Sequence, residues 1–200
     1  MPTGVAMRDP RRQLFDAAER ILLRDGPNAL TSRAVTTEAG CAKGVLHRHF
    51  ADFDAFLAEL VLARIHRLED RSAALRASAG TGTLTGNLTA ALTDLFDPVA
   101  TAVVSLVISR DELRARLRAA GSTGIPLMGE AAAMLASYLT AERDLGRLKP
   151  DTDVGVLAPT LLGAAHLLYA DREARSPDAE AVRRVVTAVV AGALRGEEIG

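Results

Sequence analysis

The spacing of the apolar residues constrains the fold more than any other feature of this sequence. Apolar residues recur three and four positions apart along most of the chain, whereas the alternation typical of strands is scarce. Only 4% of the residues are aromatic and Trp is absent, so the core must consist mainly of Ala, Leu and Val. Small aliphatic side chains favour close packing of helix on helix. The sequence therefore predicts an all-α fold.

Caps and breakers place the ends of the predicted helices. In the first part of the chain the predicted bounds are Asp9–Asp25, Thr31–Ala39, Ala42–Phe50, and a longer helix that begins after Asp52 or Asp54 and ends near Ala77. The segment ASAGTGTLTGN, which follows, is rich in Gly and Thr and predicts a loop. Further helices are predicted at about 84–96, 98–109, 110–120, 124–145, 151–171 and 178–195.

The segment from Thr31 to Phe50, TSRAVTTEAGCAKGVLHRHF, has the pattern of a helix-turn-helix. Two short helices flank a turn that contains Gly40, and in such a motif the second helix lies in the DNA major groove. The apolar positions predicted to face the first helix are Val35, Ala39, Cys41, Leu46 and Phe50. The positions predicted to face outward are Lys43, Gly44, His47 and Arg48.

These outward residues have the chemistry that DNA binding requires. Lys and Arg neutralise phosphates, and Arg also forms bidentate hydrogen bonds to guanine. Gly44 has no side chain that would keep the positive end of the helix away from the duplex. Ala42 and Val45 are small enough to contact a thymine methyl group, and Arg33 on the preceding helix is a candidate for contact with a base edge.

The motif resembles that of the TetR-family transcriptional regulators. The resemblance is carried by Ala39-Gly40, Ala42, Lys43-Gly44 and the block from Leu46 to Phe50, and it extends over about a quarter of the chain, from Leu14 to Leu68. It implies a homodimer that binds a palindromic double-stranded DNA operator and is released by a small, mainly apolar ligand. The implied domains are a helix-turn-helix domain, 1–52, and a helical ligand-binding and dimerisation domain, 53–200, with 53–77 as the connecting helix.

The resemblance and the polar residues on the outer face of the motif together predict a set of DNA contacts, and the start of the fourth helix departs from the family pattern. The predicted DNA-binding residues are Thr31, Arg33, Ala42, Lys43, Gly44, Val45, His47, Arg48 and His49. His49 has a second interpretation, as an internal support for the fourth helix. Phe53 stands where the family often has a phosphate-contacting Lys, and Asp52 and Asp54 beside it would repel phosphate if they faced DNA. We expect Arg8, Arg11 and Arg12 to offset this loss.

The C-terminal part has two unusually apolar helices, which suggests that a second subunit covers them. The predicted dimer interface consists of Leu157, Leu161, Leu168, Val182, Val186, Val189 and Val190. The predicted ligand pocket consists of Phe96, Val103, Val107, Met128, Leu135, Tyr138, His166 and Tyr169. For each pocket residue, a place in the ordinary core is an equally good interpretation.

Charge and cysteine content limit the remaining possibilities. The net charge is −1, yet the first 50 residues carry eight Lys and Arg against five Asp and Glu, which suits a polyanion partner at that end. The single cysteine, Cys41, allows no internal disulfide, and the N-terminus lacks a signal-peptide pattern, so a cytoplasmic location without membrane attachment is expected. No cofactor, metal-ligand or catalytic motif is evident, so we predict that the protein is not an enzyme. A helical enzyme, an adaptor protein and an activator remain alternatives.

Overall fold

The computed structural model of the protein describes residues 9–122, 124–169 and 177–195. Within these ranges it has ten α-helices and one isolated antiparallel bridge, between Leu148 and Leu194. The helices are α1 (Pro10–Asp25), α2 (Ser32–Glu38), α3 (Gly44–His49), α4 (Phe53–Ala77), α5 (Leu84–Leu95), α6 (Pro98–Ile108), α7 (Asp111–Ala119), α8 (Met128–Asp144), α9 (Val154–Tyr169) and α10 (Ala179–Val190). A short 3₁₀ helix, Pro27–Ala29, separates α1 from α2. The all-α prediction is confirmed. The end predicted at residue 171 lies outside the described residues.

Short polar side chains fix where several helices begin. The Asp9 carboxylate accepts a hydrogen bond from the Arg12 amide at 3.1 Å, and the Thr31 hydroxyl accepts one from the Ala34 amide at 3.2 Å. Asp178 caps α10 in the same way, at 2.8 Å. Each bond satisfies an amide that has no partner within its own helix, which is why these residue types predict helix starts well.

The chain folds into two compact units, and α4 contributes to both. The first unit comprises Met1–Arg64 and Pro98–Pro126. In it α1 packs against α2, α3 and α6, and the fully buried side chains include Leu14, Ile21, Leu22, Leu46, Val103 and Val107. A cluster of aromatic rings joins α1, α3 and α4, with centroid distances of 5.7 Å from Phe15 to Phe50 and 5.0 Å from Phe50 to Phe56.

The second unit comprises Ile65–Asp97 and Leu127–Gly200. Its helices pack in pairs, α5 against α10, α8 against α9, and α9 against α10. The fully buried side chains include Leu88, Leu92, Leu135, Tyr138, Leu161, Val182, Val186 and Val190. The expected division into a DNA-binding part, 1–52, and a ligand-binding part, 53–200, concerns function and stays a prediction.

Among the described helices, none taken singly has both the length and the apolar character needed to cross a bilayer. Only α5 and α6 taken together, as a bent pair, satisfy those two criteria.

Candidate nucleic-acid interface

The turn between α2 and α3 depends on one glycine. Gly40 has φ of +66°, a left-handed conformation that a side chain disfavours. The Gly40 amide donates to the Thr37 carbonyl at 3.1 Å, and the Cys41 amide donates to the Thr36 carbonyl at 3.0 Å. Burial raises the pKa of the Cys41 thiol, which favours the protonated form and the role of a small apolar side chain. The turn thus directs α3 away from the axis of α2.

Helix α3 has one buried face and one exposed face. Leu46 has no exposed surface and Phe50, the residue that ends the helix, is 3% exposed. The exposed residues are Ala42, Lys43, Gly44, His47 and Arg48, while Val45 and His49 are half-buried. The four positions expected to face outward therefore do so. Within the described chain, neither Lys43 nor Arg48 makes an ion pair with an acid, so both charges are available to a partner.

Arg11 fixes the C-terminal end of α3. Its guanidinium donates to the His49 carbonyl at 3.2 Å, lies 4.5 Å from the centroid of the Phe50 ring, and forms an ion pair with Glu59 of α4. A guanidinium with three such partners holds the helix in place. It is therefore poorly suited to the phosphate contact expected of it, while Arg12 is exposed and Arg8 lies outside the described residues.

Helix α2 places Thr31 and Arg33 at its exposed beginning. The Thr31 hydroxyl is already used as the cap, and the buried Thr36 hydroxyl donates to the Ser32 carbonyl at 3.0 Å. At its other end Glu38 accepts hydrogen bonds from Arg20, at 2.8 Å, and from Arg24, at 3.1 Å. These two arginines lower the pKa of Glu38, so the acid stays ionised and paired. The pairing ties α2 to α1.

The structure brings together only some of the residues predicted to form a ligand pocket. Phe96 stacks on Tyr169 with a centroid distance of 5.0 Å and lies 5.7 Å from the His166 ring. Tyr138 and Leu135 are fully buried in α8, and Met128 is half-buried where that helix starts. Val103 and Val107 belong to the first unit, with no exposed surface. Phe96, His166 and Tyr169 are thus the members of the predicted set whose rings the structure brings together.

An open groove of about 230 Å³ lies between α4, α5 and α8 of the second unit. Its lining is formed by Arg71, Ala74, Leu75, Ser78, Asn87, Ala90, Ala91, Asp94, Leu95 and Met134. None of these residues was predicted from the sequence. The available signal was the cluster of alanines at 74, 90 and 91, because small side chains on facing helices leave space between them.

Residues 14–60 match the family described as bacterial regulatory proteins, tetR family. Comparison of the sequence with curated proteins finds no match. Among solved structures, a TetR transcription regulator from Haloarcula marismortui has a TM-score of 0.72 at 18% identity, over 94% of this chain and 100% of that one.

Two similar structures were solved with small molecules. The transcriptional regulator FadR from Bacillus subtilis, in complex with stearoyl-CoA, has a TM-score of 0.70 at 17% identity, over 90% of this chain and 98% of that one. A regulator from Saccharomonospora viridis, in complex with choline, also has a TM-score of 0.70 at 17% identity, over 93% of this chain and 98% of that one. At these identities the likeness shows the fold. Residues 14–60 thus match the helix-turn-helix domain of the tetR family of bacterial regulatory proteins, and the chain shares its fold with solved TetR-family transcriptional regulators.

Proposed function

We propose that the protein is a repressor that binds a palindromic operator as a homodimer in the cytoplasm and leaves it when a small molecule binds the second unit. The observation that carries the proposal is the face of α3. Lys43, His47 and Arg48 are exposed on it while Leu46 is buried beneath them. In this arrangement α3 enters the major groove, and the two half-sites are centred roughly 34–36 Å apart, or a multiple of that distance.

Each predicted DNA contact has a role that its position supports. Lys43, at the start of α3, and Arg48, near its end, neutralise phosphates or bind guanine. Gly44 lets the helix end approach the duplex, because it carries no side chain and lies exposed. His47 donates a hydrogen bond to a phosphate, and Arg33 reaches a base edge from the start of α2. Ala42 and Val45 supply apolar contact, while Thr31 and His49 contact the duplex from the edges of the motif.

The test is selection of a duplex from random DNA with the full-length protein, followed by titration at several salt concentrations. We expect a two-fold symmetric sequence to be enriched and its affinity to fall steeply with salt, because phosphate contacts release counterions. The slope of log K against log salt should correspond to several phosphates, at about 0.9 per contact. A shallow slope, or no enriched sequence, would contradict the proposal.

For the dimer, exposed apolar residues of α9 provide the surface. Leu161, Val182, Val186 and Val190 of the predicted interface have no exposed surface in the single chain, so they have no area to offer a partner. They serve the core of their own subunit instead. Leu157, Leu168 and Val189 are half-buried. The exposed residues of α9 include Val156, Pro159, Thr160, Gly163 and Leu167. In α10 and at the residue after it they include Thr187, Ala188 and Ala191.

Val156 is 61% exposed and Leu167 is 76% exposed, large fractions for side chains of this size. They lie eleven residues apart, three helical turns, and therefore share one face of α9. Two copies of this face, with the small residues of α10 beside it, would form an isologous four-helix interface. The proposed interface thus lies beside the predicted positions, on the side of the same helices that the chain leaves uncovered.

Replacing both Val156 and Leu167 by Glu is expected to convert the dimer to a monomer in sedimentation at micromolar concentration. Four carboxylates would then face one another across the two-fold axis, and no positively charged partner would compensate the free-energy cost of removing them from water. Leu23→Glu, at a position 46% exposed in the first unit, is the matched control and should leave the dimer intact. A dimer that survives the double change would place the interface elsewhere.

For the ligand, the groove between α4, α5 and α8 is the proposed site. Its lining is mainly apolar, with Arg71, Ser78, Asn87 and Asp94 as polar groups, which suits a small and mainly apolar molecule with a polar end. The proteins of similar fold that were solved with stearoyl-CoA and with choline support the proposal that a small molecule binds this chain. The predicted set around Phe96, His166 and Tyr169 remains a second proposed location.

Helix α4 offers a route from this groove to the DNA-binding helices. Arg71, Ala74 and Leu75 of α4 line the groove, and residues 53–64 of the same helix belong to the first unit. Two ion pairs join residues 53–64 of α4 to α1. Arg11 pairs with Glu59, and Arg64 pairs with Glu19 at 3.1 Å in a largely buried position. A ligand that shifts α4 would therefore move α1 and α3 with it. The expected coupling is about 1–3 kcal/mol, a typical allosteric value.

A further inference from the structure

Two aspartates lie beside the proposed DNA-binding face, at the start of α4. Asp52 is separated from Phe50, the residue that ends α3, by one residue, and Asp54 follows shortly after. The Asp52 carboxylate accepts the Ala55 amide at 2.6 Å and so caps α4. Yet both carboxylates are partly exposed, at 50% for Asp52 and 33% for Asp54. Uncompensated, they would repel a phosphate backbone near α3.

The closeness of bound DNA to the start of α4 follows from the length of α3 and the width of the major groove. Helix α3 has six residues and is therefore only about 9 Å long, whereas the major groove alone is about 12 Å wide. A duplex that receives α3 must extend beyond its end and over the first turn of α4. Repulsion at that range is not fully screened, because the Debye length at physiological ionic strength is about 8 Å.

Helix α7 and the residue just before it each supply an arginine to one of the two aspartates. The Arg116 guanidinium lies 2.8 Å from the second Asp52 oxygen, and the Arg110 guanidinium lies 3.9 Å from Asp54. Arg110 also donates to the Leu30 carbonyl at 3.2 Å, next to the residue that caps α2, and lies 5.9 Å from the Phe53 ring centroid. Residues more than 50 positions downstream thus complete the charge balance beside the DNA-binding motif.

Stability alone does not account for these pairs. Arg116 and Asp52 are 44% and 50% exposed, and ion pairs in such positions contribute little to the free energy of folding. Asp52 caps α4 through its other oxygen and needs no arginine to do so. The charge of Arg116 therefore has its main effect on whatever approaches Asp52 from outside.

We propose that Arg116 and Arg110 are positioning residues for operator binding: they neutralise Asp52 and Asp54, and so allow the first turn of α4 to approach the DNA phosphates. This inference rests on the proposed function. It assigns α7 to the DNA-binding apparatus, although α7 lies far from the motif in sequence. It also makes operator affinity depend on where α7 lies against α4, so any change in that contact would expose the two negative charges.

The experiment uses the full-length protein and the duplex selected with it. Arg116→Ala is expected to weaken binding about tenfold, since each copy exposes a carboxylate to phosphate. Asp52→Asn removes the charge and keeps a capping side chain, because Asn caps helices as well as Asp does. Asp52→Asn added to Arg116→Ala should restore affinity to within about twofold of the wild type. Arg118→Ala, at an exposed position of the same helix, is the matched control and should have no effect.

Rescue by Asp52→Asn, with equal thermal stability of all variants, supports the proposal. If the ion pair only stabilised the fold, removing its second member would not restore the affinity for DNA. Failure of the rescue, with a salt slope reduced by about 0.9 per lost contact, would show that Arg116 binds phosphate itself and would overturn the proposal. An Arg116→Ala variant that binds like the wild type would also overturn it. The Lys43→Ala variant separates failure of this proposal from failure of the proposed function. Wild-type binding by both Arg116→Ala and Lys43→Ala would contradict both, whereas wild-type binding by Arg116→Ala alone would contradict only this proposal.

Discussion

The double substitution of Lys43 and Arg48 by Ala is expected to weaken binding to the selected duplex by at least about 100-fold while leaving the melting temperature unchanged. Good contacts to guanine contribute about 1–3 kcal/mol each, and phosphate contacts add a salt-dependent term. Two side chains per protomer, present twice in a dimer, multiply these effects. Both side chains are exposed, so their loss removes no packing.

Gel-shift titration at two or more salt concentrations measures this effect and identifies its cause. The double variant should show a shallower dependence on salt, since fewer counterions are released. Arg118→Ala, which removes one exposed positive charge outside the motif, controls for the change in net charge. If both proteins retained wild-type affinity, the exposed face of α3 would not be the DNA-binding surface, and the assignment of these residues would be wrong.

Local signals in the sequence predicted the helices well, because the physics of helix ends is local. Thr31 and Asp178 cap the helices that they were expected to begin, and Gly40 takes the left-handed conformation that the turn requires. Likewise the spacing of Leu46 and Phe50 was enough to predict which side of α3 is buried. These features depend on neighbours within one or two helical turns, which the sequence displays directly.

The parts that could not be predicted depend on contacts between distant residues. Helix α9 has few polar residues, so its periodicity does not tell which side the chain itself covers. In α10 the valines at 182, 186 and 190 form one apolar face, but the sequence does not tell whether that face packs within its own subunit or against a partner. Val186 and Val190 are buried in the core of the second unit, whereas Leu167 is exposed. In the same way, Asp52 suggested repulsion of DNA because its partner, Arg116, comes 64 residues later. Such pairings follow from the packing of whole helices.

Glu142 is another residue whose position the sequence does not reveal, since a carboxylate near the end of α8 would ordinarily lie in solvent. It has no exposed surface. The Tyr138 hydroxyl donates to one of its oxygens, and the Gly80 amide donates to the other at 3.3 Å. The Arg147 guanidinium lies 3.3 Å from Glu142 and donates to the Gly82 carbonyl at 2.9 Å. One carboxylate thereby holds the loop before α5 and the segment after α8.

Replacing Glu142 by Ala is expected to destabilise the protein by about 3–5 kcal/mol, the usual result of removing one partner from a buried ionic group. For a chain of this size the melting temperature should fall by about 6–20 °C. Burial raises the pKa of Tyr138, and the Glu142 carboxylate adds to the shift, so the hydroxyl stays protonated and donates. Tyr138→Phe removes that hydrogen bond and the one that the hydroxyl accepts from the Asn87 side chain at 3.1 Å, but leaves the ionic contact. It should cost less, about 1–3 kcal/mol.

Thermal melts followed by circular dichroism would measure both variants. Glu69→Ala, at a position where the side chain is 69% exposed and paired with His66, is the matched control and should change stability by less than about 0.5 kcal/mol. Below its melting temperature the Glu142→Ala protein should still bind the selected duplex, because the helices proposed to bind DNA belong to the first unit. A Glu142→Ala protein as stable as the control would mean that the buried carboxylate contributes no more than an apolar side chain, and the second unit would then depend on its aliphatic core alone.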